Sequence, residues 1–92
     1  MCGITGFVST KSINIERAHH VLPKMVQAIN HRGPDEKGFH YDKYAALGMA
    51  RLKIIDLNTG SQPFYNHDKT VCIIFNGEIY NFKSLRKDLM KN

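Results

Sequence analysis

The chain has few of the features that mark secreted or membrane proteins. Its two cysteines, Cys2 and Cys72, lie far apart in the 92 residues and do not make a disulfide framework. No apolar run is long enough to cross a bilayer, and no basic segment followed by an apolar one marks a secretory signal. These absences predict a cytoplasmic protein without a membrane partner.

Length and composition predict one small globular domain. Apolar residues make up 42% of the chain and charged residues 23%, which is ordinary for a folded protein. There is no internal repeat, low-complexity segment or linker. The formal net charge of +5 could suggest a nucleic-acid partner. However, the basic residues are scattered, apart from a cluster on one predicted helix: Lys83, Arg86, Lys87 and Lys91. We interpret that cluster as a solvated face and predict that nucleic acid is not a partner.

The first residues, Met1-Cys2-Gly3-Ile4, carry a candidate nucleophile. The small side chain of Cys2 permits removal of Met1, which would put a thiol and a free α-amino group on one residue. A deprotonated thiol is a strong nucleophile, and an α-amino group with an ordinary pKa of about 7.7–8 can accept a proton near neutral pH. The alternative is that Cys2 is an ordinary residue near a chain end.

A helix is predicted by apolar residues that recur every three or four positions: Ile15, Ala18, Leu22, Met25 and Ile29. Pro23 interrupts this pattern, because it lacks the N–H that would bond to residue 19. Either the helix kinks there, or the main helix begins with Pro23 in its first turn after a separate short helical piece, and we favour the second. The adjacent histidines His19 and His20 point apart and do not predict a metal site.

Five segments read as extended structure: 4–9, 38–41, 45–55, 62–65 and 71–75. A turn at 42–43 joins the second segment to the third, and further turns are predicted at 56–61 and 66–69. The last segment is apolar at successive positions, which predicts a strand buried on both sides with Cys72 as a small core residue. Asn81 is predicted to cap a final helix with Phe82, Leu85 and Leu89 on its inner face.

Three positions allow both a structural and a chemical interpretation. Arg51 stands in an apolar strand, where it could grip a ligand carboxylate or form an ion pair with a local Asp or Glu. Asn76-Gly77 follows a strand and could form a tight turn, or an oxyanion hole from a side-chain amide and a backbone N–H. The segment His-Arg-Gly-Pro-Asp at 31–35 could be catalytic or could end a helix.

Four motifs in order now point to a family: Met-Cys-Gly-Ile at 1–4, His-Arg-Gly-Pro-Asp at 31–35, Arg-Leu-Lys-Ile-Ile-Asp at 51–56 with Gln62-Pro63, and Asn-Gly-Glu-Ile-Tyr-Asn at 76–81. Together they resemble the glutaminase domain of glutamine-hydrolysing asparagine synthetase, a class II glutamine amidotransferase of the N-terminal nucleophile type. Each motif is weak alone, but the ordered set is specific and covers essentially the whole chain.

The resemblance implies a role for each matching residue. Cys2 would attack the side-chain amide of glutamine, with its own α-amino group as base and then acid. Asn76 and Gly77 would stabilise the oxyanion, Arg51 would grip the substrate α-carboxylate, and Glu78 would receive the α-ammonium. Backbone groups lining the glutamine pocket would come from Leu52, Lys53, Ile54 and Ile55. Arg32 would support the loop around the nucleophile.

The implied fold is α+β. It is the N-terminal part of a four-layer αββα N-terminal-nucleophile hydrolase sandwich, with mostly antiparallel sheets. Residues 1–92 would form a partial glutamine amidotransferase type-2 domain. A further acidic ligand of the substrate ammonium, the rest of the sandwich and the ATP-using synthetase domain would lie beyond the chain. We therefore expect no cofactor in this chain, with ATP and Mg²⁺ belonging to the missing synthetase domain. One departure from the family pattern, Lys53 where serine is usual, could alter the pocket rim.

The resemblance leaves two functions open. The first is the glutaminase half-reaction, which releases ammonia for amidation of aspartate on a synthetase domain. The alternative is an inactive truncated fragment, or a non-enzymatic assembly or binding module that pairs with a synthetase subunit or a complementary fragment.

Overall fold

The computed structural model describes residues 2–52 and 61–91, and every structural statement below concerns these residues. The segment 2–52 contains four elements and a single 3₁₀ turn: β1 (Gly3–Val8), α1 (Ile15–Ala28), the 3₁₀ turn (Asn30–Arg32), β2 (Glu36–Tyr41) and β3 (Ala45–Arg51). The segment 61–91 contains three more: β4 (Phe64–Tyr65), β5 (Cys72–Ile73) and α2 (Phe82–Met90). Neither helix is long and apolar enough to cross a bilayer.

Strand β3 lies at the centre of an antiparallel sheet with the order β1-β3-β2. Gly3 pairs with Ala50 and Glu36 pairs with Arg51, so the start of β1, the start of β2 and the end of β3 lie at one edge of the sheet. A second antiparallel pair, β4-β5, follows later in the chain. The prediction of an α+β fold with antiparallel sheets is confirmed, whereas the four-layer sandwich stays a prediction.

Helix α1 packs across one face of this sheet and forms the core. Its buried residues Ala18, Leu22 and Val26 cluster with Ala46 and Ala50 of β3. Asn14 caps the start of the helix, and its side-chain Oδ1 accepts a hydrogen bond from the Arg17 N–H at 3.0 Å. Small residues on β3 let the helix backbone come close to the strand.

The predicted break at Pro23 is wrong, because α1 is one helix with Pro23 inside it. Ala18 and Leu22, before the proline, and Val26, after it, are all buried against the same strand. A proline inside a helix costs about 3 kcal/mol. Full burial of a side chain such as leucine or valine contributes roughly 1.5–3 kcal/mol. Burial of both halves therefore outweighs the local cost.

The strand bounds differ modestly from the predicted ones. β1 begins and ends one residue earlier than predicted, and β2 begins two residues earlier. β3 ends at Arg51, and Leu52 lies outside the strand. The predicted continuation at 53–55 and most of the predicted turn at 56–61 lie outside the described residues. The turns at 42–43 and 66–69 are confirmed.

The prediction that 71–75 is buried on both sides is wrong. Val71 is 60% exposed and Ile73 is 51% exposed, and Cys72 is half-buried rather than a core residue. The strand itself is short and pairs with β4 alone among the described elements. An apolar sequence indicates that a strand can be covered on both sides, but the neighbouring elements decide whether it is.

The last helix forms as predicted, but its apolar face is not an inner one. Phe82, Leu85 and Leu89 are all exposed, and with neighbouring side chains they line an open groove of about 420 Å³. Asn81 occupies the N-cap position without a side-chain capping bond within the described part of the chain. Its carbonyl oxygen instead accepts the Leu85 N–H at 3.1 Å, an ordinary first helical bond.

Candidate active site

The Cys2 thiol lies against the backbone just after β3. Antiparallel pairing of Gly3 with Ala50 brings the start of β1 to the end of the central strand. There the Leu52 N–H donates to Cys2 Sγ at 3.4 Å, and the Leu52 carbonyl oxygen lies 4.0 Å from the same sulfur. An N–H directed at sulfur stabilises negative charge on it. The fold thus holds a half-buried thiol beside a fixed donor.

The segment 31–35 contacts this cysteine from the other side. Arg32 lies in the 3₁₀ turn that follows α1, and its Nε donates to the Cys2 carbonyl oxygen at 3.2 Å. Gly3 makes this approach possible, because a Cβ there would lie 3.2 Å from Arg32 Cδ and 3.0 Å from Ile29 Cδ1. The segment therefore ends the helical region and also contacts the residue predicted as nucleophile. Its role in catalysis stays a prediction.

Gly33 allows the same segment to cross the central strand. A Cβ at Gly33 would overlap the backbone of Ala50, so a larger residue could be accommodated only by moving β3 or the loop. Asp35 then donates its backbone N–H to the Arg51 carbonyl oxygen at 3.1 Å. The loop is thereby fixed to the strand end beside the thiol.

Arg51 is buried, with 8% of its surface exposed, at the last position of β3. Its Nη1 lies 3.7 Å from Glu36 Oε2, the residue opposite it in the sheet. The local ion pair that the sequence allowed is therefore present. Binding of a substrate carboxylate by Arg51 stays a prediction. It requires the guanidinium to contact that carboxylate as well as the carboxylate of Glu36.

A cavity of about 280 Å³ contains the predicted nucleophile and one of the predicted oxyanion donors. It is lined by Cys2, Gly3, Ile4, Ile29, Arg32 and Asn76. Its volume is close to the lower limit for small-molecule sites, about 300 Å³, and suits a ligand of amino-acid size. The structure therefore brings Cys2 and Asn76, which are remote in sequence, to one space.

The remaining predicted site residues are placed less closely. Gly77 and Glu78 follow Asn76 in an exposed bend and do not line the cavity. Leu52 contacts the sulfur through its backbone, as described above. Lys53, Ile54 and Ile55 lie outside the described residues.

Comparisons with known proteins show the family of this chain. A family model described as a glutamine amidotransferase domain matches residues 1–92. The chain belongs to this family. It is 39% identical over 90 residues to asparagine synthetase [glutamine-hydrolyzing] 2 of Bacillus subtilis (strain 168), and 41% identical over 90 residues to asparagine synthetase [glutamine-hydrolyzing] 1 of the same strain. Over 88 residues it is 40% identical to asparagine synthetase B [glutamine-hydrolyzing] of Escherichia coli (strain K12).

The matches cover nearly all of this chain but only a small part of those relatives. The three matches span 96–97% of the chain and only 12%, 14% and 16% of the relatives' lengths. The resemblance to glutamine-hydrolysing asparagine synthetases, inferred from four short motifs, is confirmed.

The second cysteine of the amidotransferase domain has a different environment. Cys72 is half-buried in β5, and burial raises the pKa of its thiol, which disfavours the thiolate. Burial is also the main cause that raises the pKa of Tyr65, with the nearby Cys72 adding to it. The environment of Cys72 therefore disfavours it as a nucleophile.

A hydrogen-bonded chain of polar side chains joins the two sheets near Cys72. His40 contacts the Asp42 carboxylate through Nε2 at 2.7 Å and the Tyr65 hydroxyl through Nδ1 at 2.9 Å. No group of three or more metal-binding side chains occurs in residues 2–52 and 61–91. We interpret this chain of contacts as a structural link between β2 and β4.

Sequence reasoning missed two features of the amidotransferase site. The Leu52 N–H was expected to line a substrate pocket, but its contact with Cys2 Sγ depends on the sheet register, which the motif does not encode. The close approach of Ile29 and Arg32 depends on Gly3. A glycine directly after a candidate nucleophile was the one available signal, and it could equally have marked an ordinary strand.

Proposed function

We propose that this amidotransferase domain carries out the glutaminase half-reaction of asparagine synthetase. In this reaction Cys2 hydrolyses glutamine to glutamate and ammonia, and the ammonia serves the ATP-dependent amidation of aspartate on a synthetase domain. The observation that carries the proposal is the cavity shared by Cys2 and Asn76 in a member of this family. ATP and Mg²⁺ would belong to the synthetase domain, and we assign no residue of this chain to them.

The proposed nucleophile works together with its own amine. After removal of Met1, the α-amino group of Cys2 takes the thiol proton, and Sγ attacks the carboxamide carbon of glutamine. A carbon–sulfur bond forms, and the carbonyl electron pair moves to oxygen. The carbon–nitrogen bond then breaks as the amine returns the proton, which releases ammonia and leaves a γ-glutamyl thioester. Water hydrolyses the thioester to glutamate and regenerates the thiol.

Other residues would stabilise and orient the substrate. The Asn76 side-chain amide and the Gly77 N–H would donate to the oxyanion, which a preorganised site stabilises far more than water does. Arg51 would hold the α-carboxylate and Glu78 the α-ammonium. Backbone groups of residues 52–55 would line the pocket.

A second candidate function is an assembly module that pairs with a synthetase polypeptide. Exposed apolar surface favours it, since Ile4 and Val8 on the outer face of β1 form an open groove of about 320 Å³ with Ile74. The apolar face of α2 adds to that surface. This candidate predicts a stable complex with a synthetase subunit and an unreactive Cys2.

Labelling with an electrophilic glutamine analogue, such as one with a chloroketone in place of the carboxamide, separates the two functions. We expect one label on Cys2, shown by intact mass and peptide mapping, and protection by excess glutamine. Cys72→Ala is the matched control and should label like the wild-type protein, whereas Cys2→Ala should not label. Equal labelling of Cys2→Ala, or an unlabelled wild-type protein, would contradict the proposal. The same intact mass shows whether Met1 is removed, which the proposed base requires.

A further inference from the structure

Gln62 makes two hydrogen bonds with the backbone of one residue. Its Nε2 donates to the Phe75 carbonyl oxygen at 2.9 Å, and its Oε1 accepts the Phe75 N–H at 2.7 Å. The side-chain amide thereby satisfies both backbone groups of Phe75, as a neighbouring strand would. Phe75 directly precedes Asn76, which lines the cavity of Cys2.

Among the residues that the structure describes, no strand pairing holds Phe75 in place. The register of β4 with β5 ends at Ile73, which pairs with Phe64, and residues 74–76 have no regular secondary structure. The bidentate contact from Gln62 lies between that last strand pair and Asn76. It is therefore positioned to determine where the Asn76-Gly77 backbone emerges.

Gln62 is itself packed against the sheet that carries Cys2. A Cβ at Gly38 would overlap the Gln62 carbonyl group and lie 3.2 Å from Pro63 Cδ, so this backbone crosses β2 in close contact. β2 pairs with β3, and β3 pairs with β1, where Gly3 follows Cys2. Packing and hydrogen bonds thus connect the two sides of the cavity through Gln62.

We propose that Gln62 is a positioning residue for the glutaminase reaction. It holds segment 75–77 so that the Asn76 amide and the Gly77 N–H point at the oxyanion of the tetrahedral intermediate. This inference rests on the proposed function and assigns a purpose to a motif residue, the glutamine of Gln62-Pro63, that the reaction itself does not use.

Kinetics of Gln62 variants test the proposal. In Gln62→Ala we expect kcat for glutamine hydrolysis to fall by about tenfold to a hundredfold. Outright loss of one oxyanion donor costs about 10²–10³ in kcat, and here the donors are displaced and not removed. KM should change by less than about threefold, since the ground state does not use these donors. The kcat of Gln62→Glu should fall by a similar factor, because a carboxylate cannot donate to the Phe75 carbonyl.

Asn66→Ala is the matched control at the other end of the same hairpin. Asn66 Oδ1 accepts the Val71 N–H at 2.8 Å, and its Nδ2 donates to Thr70 Oγ1 at 2.9 Å. Its loss should loosen the turn but leave kcat within about twofold of the wild-type value, because a surface substitution away from the site has a small effect. An equal fall of kcat in Asn66→Ala and Gln62→Ala would overturn the proposal in favour of general hairpin stability.

Two readouts separate positioning from unfolding and from failure of the proposed function. Inhibition by a glutamine analogue with an aldehyde in place of the carboxamide, which forms a tetrahedral adduct with the thiol, should weaken in step with kcat. Amide hydrogen exchange at Phe75 should accelerate at least about tenfold in Gln62→Ala, since its hydrogen bond is lost, while α1 keeps its protection. If amide exchange at Phe75 and kcat are both unchanged in Gln62→Ala, the role of Gln62 is overturned but the proposed function is not. A wild-type protein that neither hydrolyses glutamine nor reacts at Cys2 would overturn the proposed function and this role of Gln62 with it.

Discussion

Replacing Gly48 with alanine tests the packing of α1 on the central strand. A Cβ at Gly48 would lie 2.5 Å from Val26 Cγ2 and 3.3 Å from Leu22 Cδ1, and both side chains are fully buried. The new methyl would therefore be about 1 Å too close to Val26 for van der Waals contact. The helix or the valine must shift.

The magnitude follows from two opposing terms. Overpacking of a tight core costs about 1–3 kcal/mol. Replacing glycine by alanine at an unstrained position returns roughly 0.4–1 kcal/mol from the unfolded chain. We expect Gly48→Ala to lower the free energy of unfolding by about 1–2 kcal/mol. Val26→Ala alone should cost roughly 1.5–3 kcal/mol, because it removes two buried methyl groups.

The double variant makes the reasoning testable. In Gly48→Ala/Val26→Ala the new methyl occupies space that the valine has left, so the double variant should cost at least about 1 kcal/mol less than the two single losses together. Urea unfolding followed by circular dichroism measures each free energy, with equal m-values as the check on comparability. Additivity within about 0.3–0.5 kcal/mol would refute the predicted contact. Labelling of Cys2 should slow in Gly48→Ala and recover in the double variant, because α1 leads into the turn that carries Arg32.

Three other variants test separate parts of the account. Gly33→Ala places a Cβ against the Ala50 backbone, which cannot rotate away. We therefore expect the free energy of unfolding, measured in urea, to fall by at least about 3 kcal/mol. An unfolding midpoint equal to that of the wild-type protein would contradict this prediction. The hydrogen bond from His40 is the main cause that holds the pKa of Asp42 below its ordinary value. This carboxylate therefore stabilises the fold at a pH above its unfolded-state pKa. That stabilisation is lost as the pH falls through the folded-state pKa. Asp42→Asn should therefore lower the free energy of unfolding by at most about 1 kcal/mol at pH 7 and by progressively less in acid, while a pH-independent difference would count against the link. Arg32→Ala removes the hydrogen bond to the nucleophile's carbonyl oxygen and should slow labelling by the glutamine analogue by about tenfold, with an unchanged rate as the contrary result.

The sequence was sufficient for the hairpin of β2 and β3. Two strand-like runs on either side of the turn at 42–43 predicted the β2-β3 hairpin, because strand composition and turn chemistry are local signals. The continuous helix through Pro23 could not be predicted in the same way, since burial of Ala18, Leu22 and Val26 on one strand decides it. For the same reason the apolar run at 71–75 gave no information on what covers it.

The candidate site depended on the family pattern more than on local chemistry. Spacing alone could not place Asn76 beside Cys2, because that proximity results from tertiary contacts between segments that are remote in sequence. The ion pair of Arg51 with Glu36 was foreseen only as one of two possibilities, and the sheet register selects it. Gln62 gave no chemical signal at all, since a side-chain amide can bond to almost any backbone group.

Ammonia release from glutamine by the purified protein tests the central claim most directly. Wild-type protein and the Cys72→Ala control should release ammonia and glutamate in equal amounts, and Cys2→Ala should release neither. Equal ammonia release by Cys2→Ala and the wild-type protein, or no release by any of the three proteins, would contradict the claim that Cys2 is the nucleophile of a glutaminase.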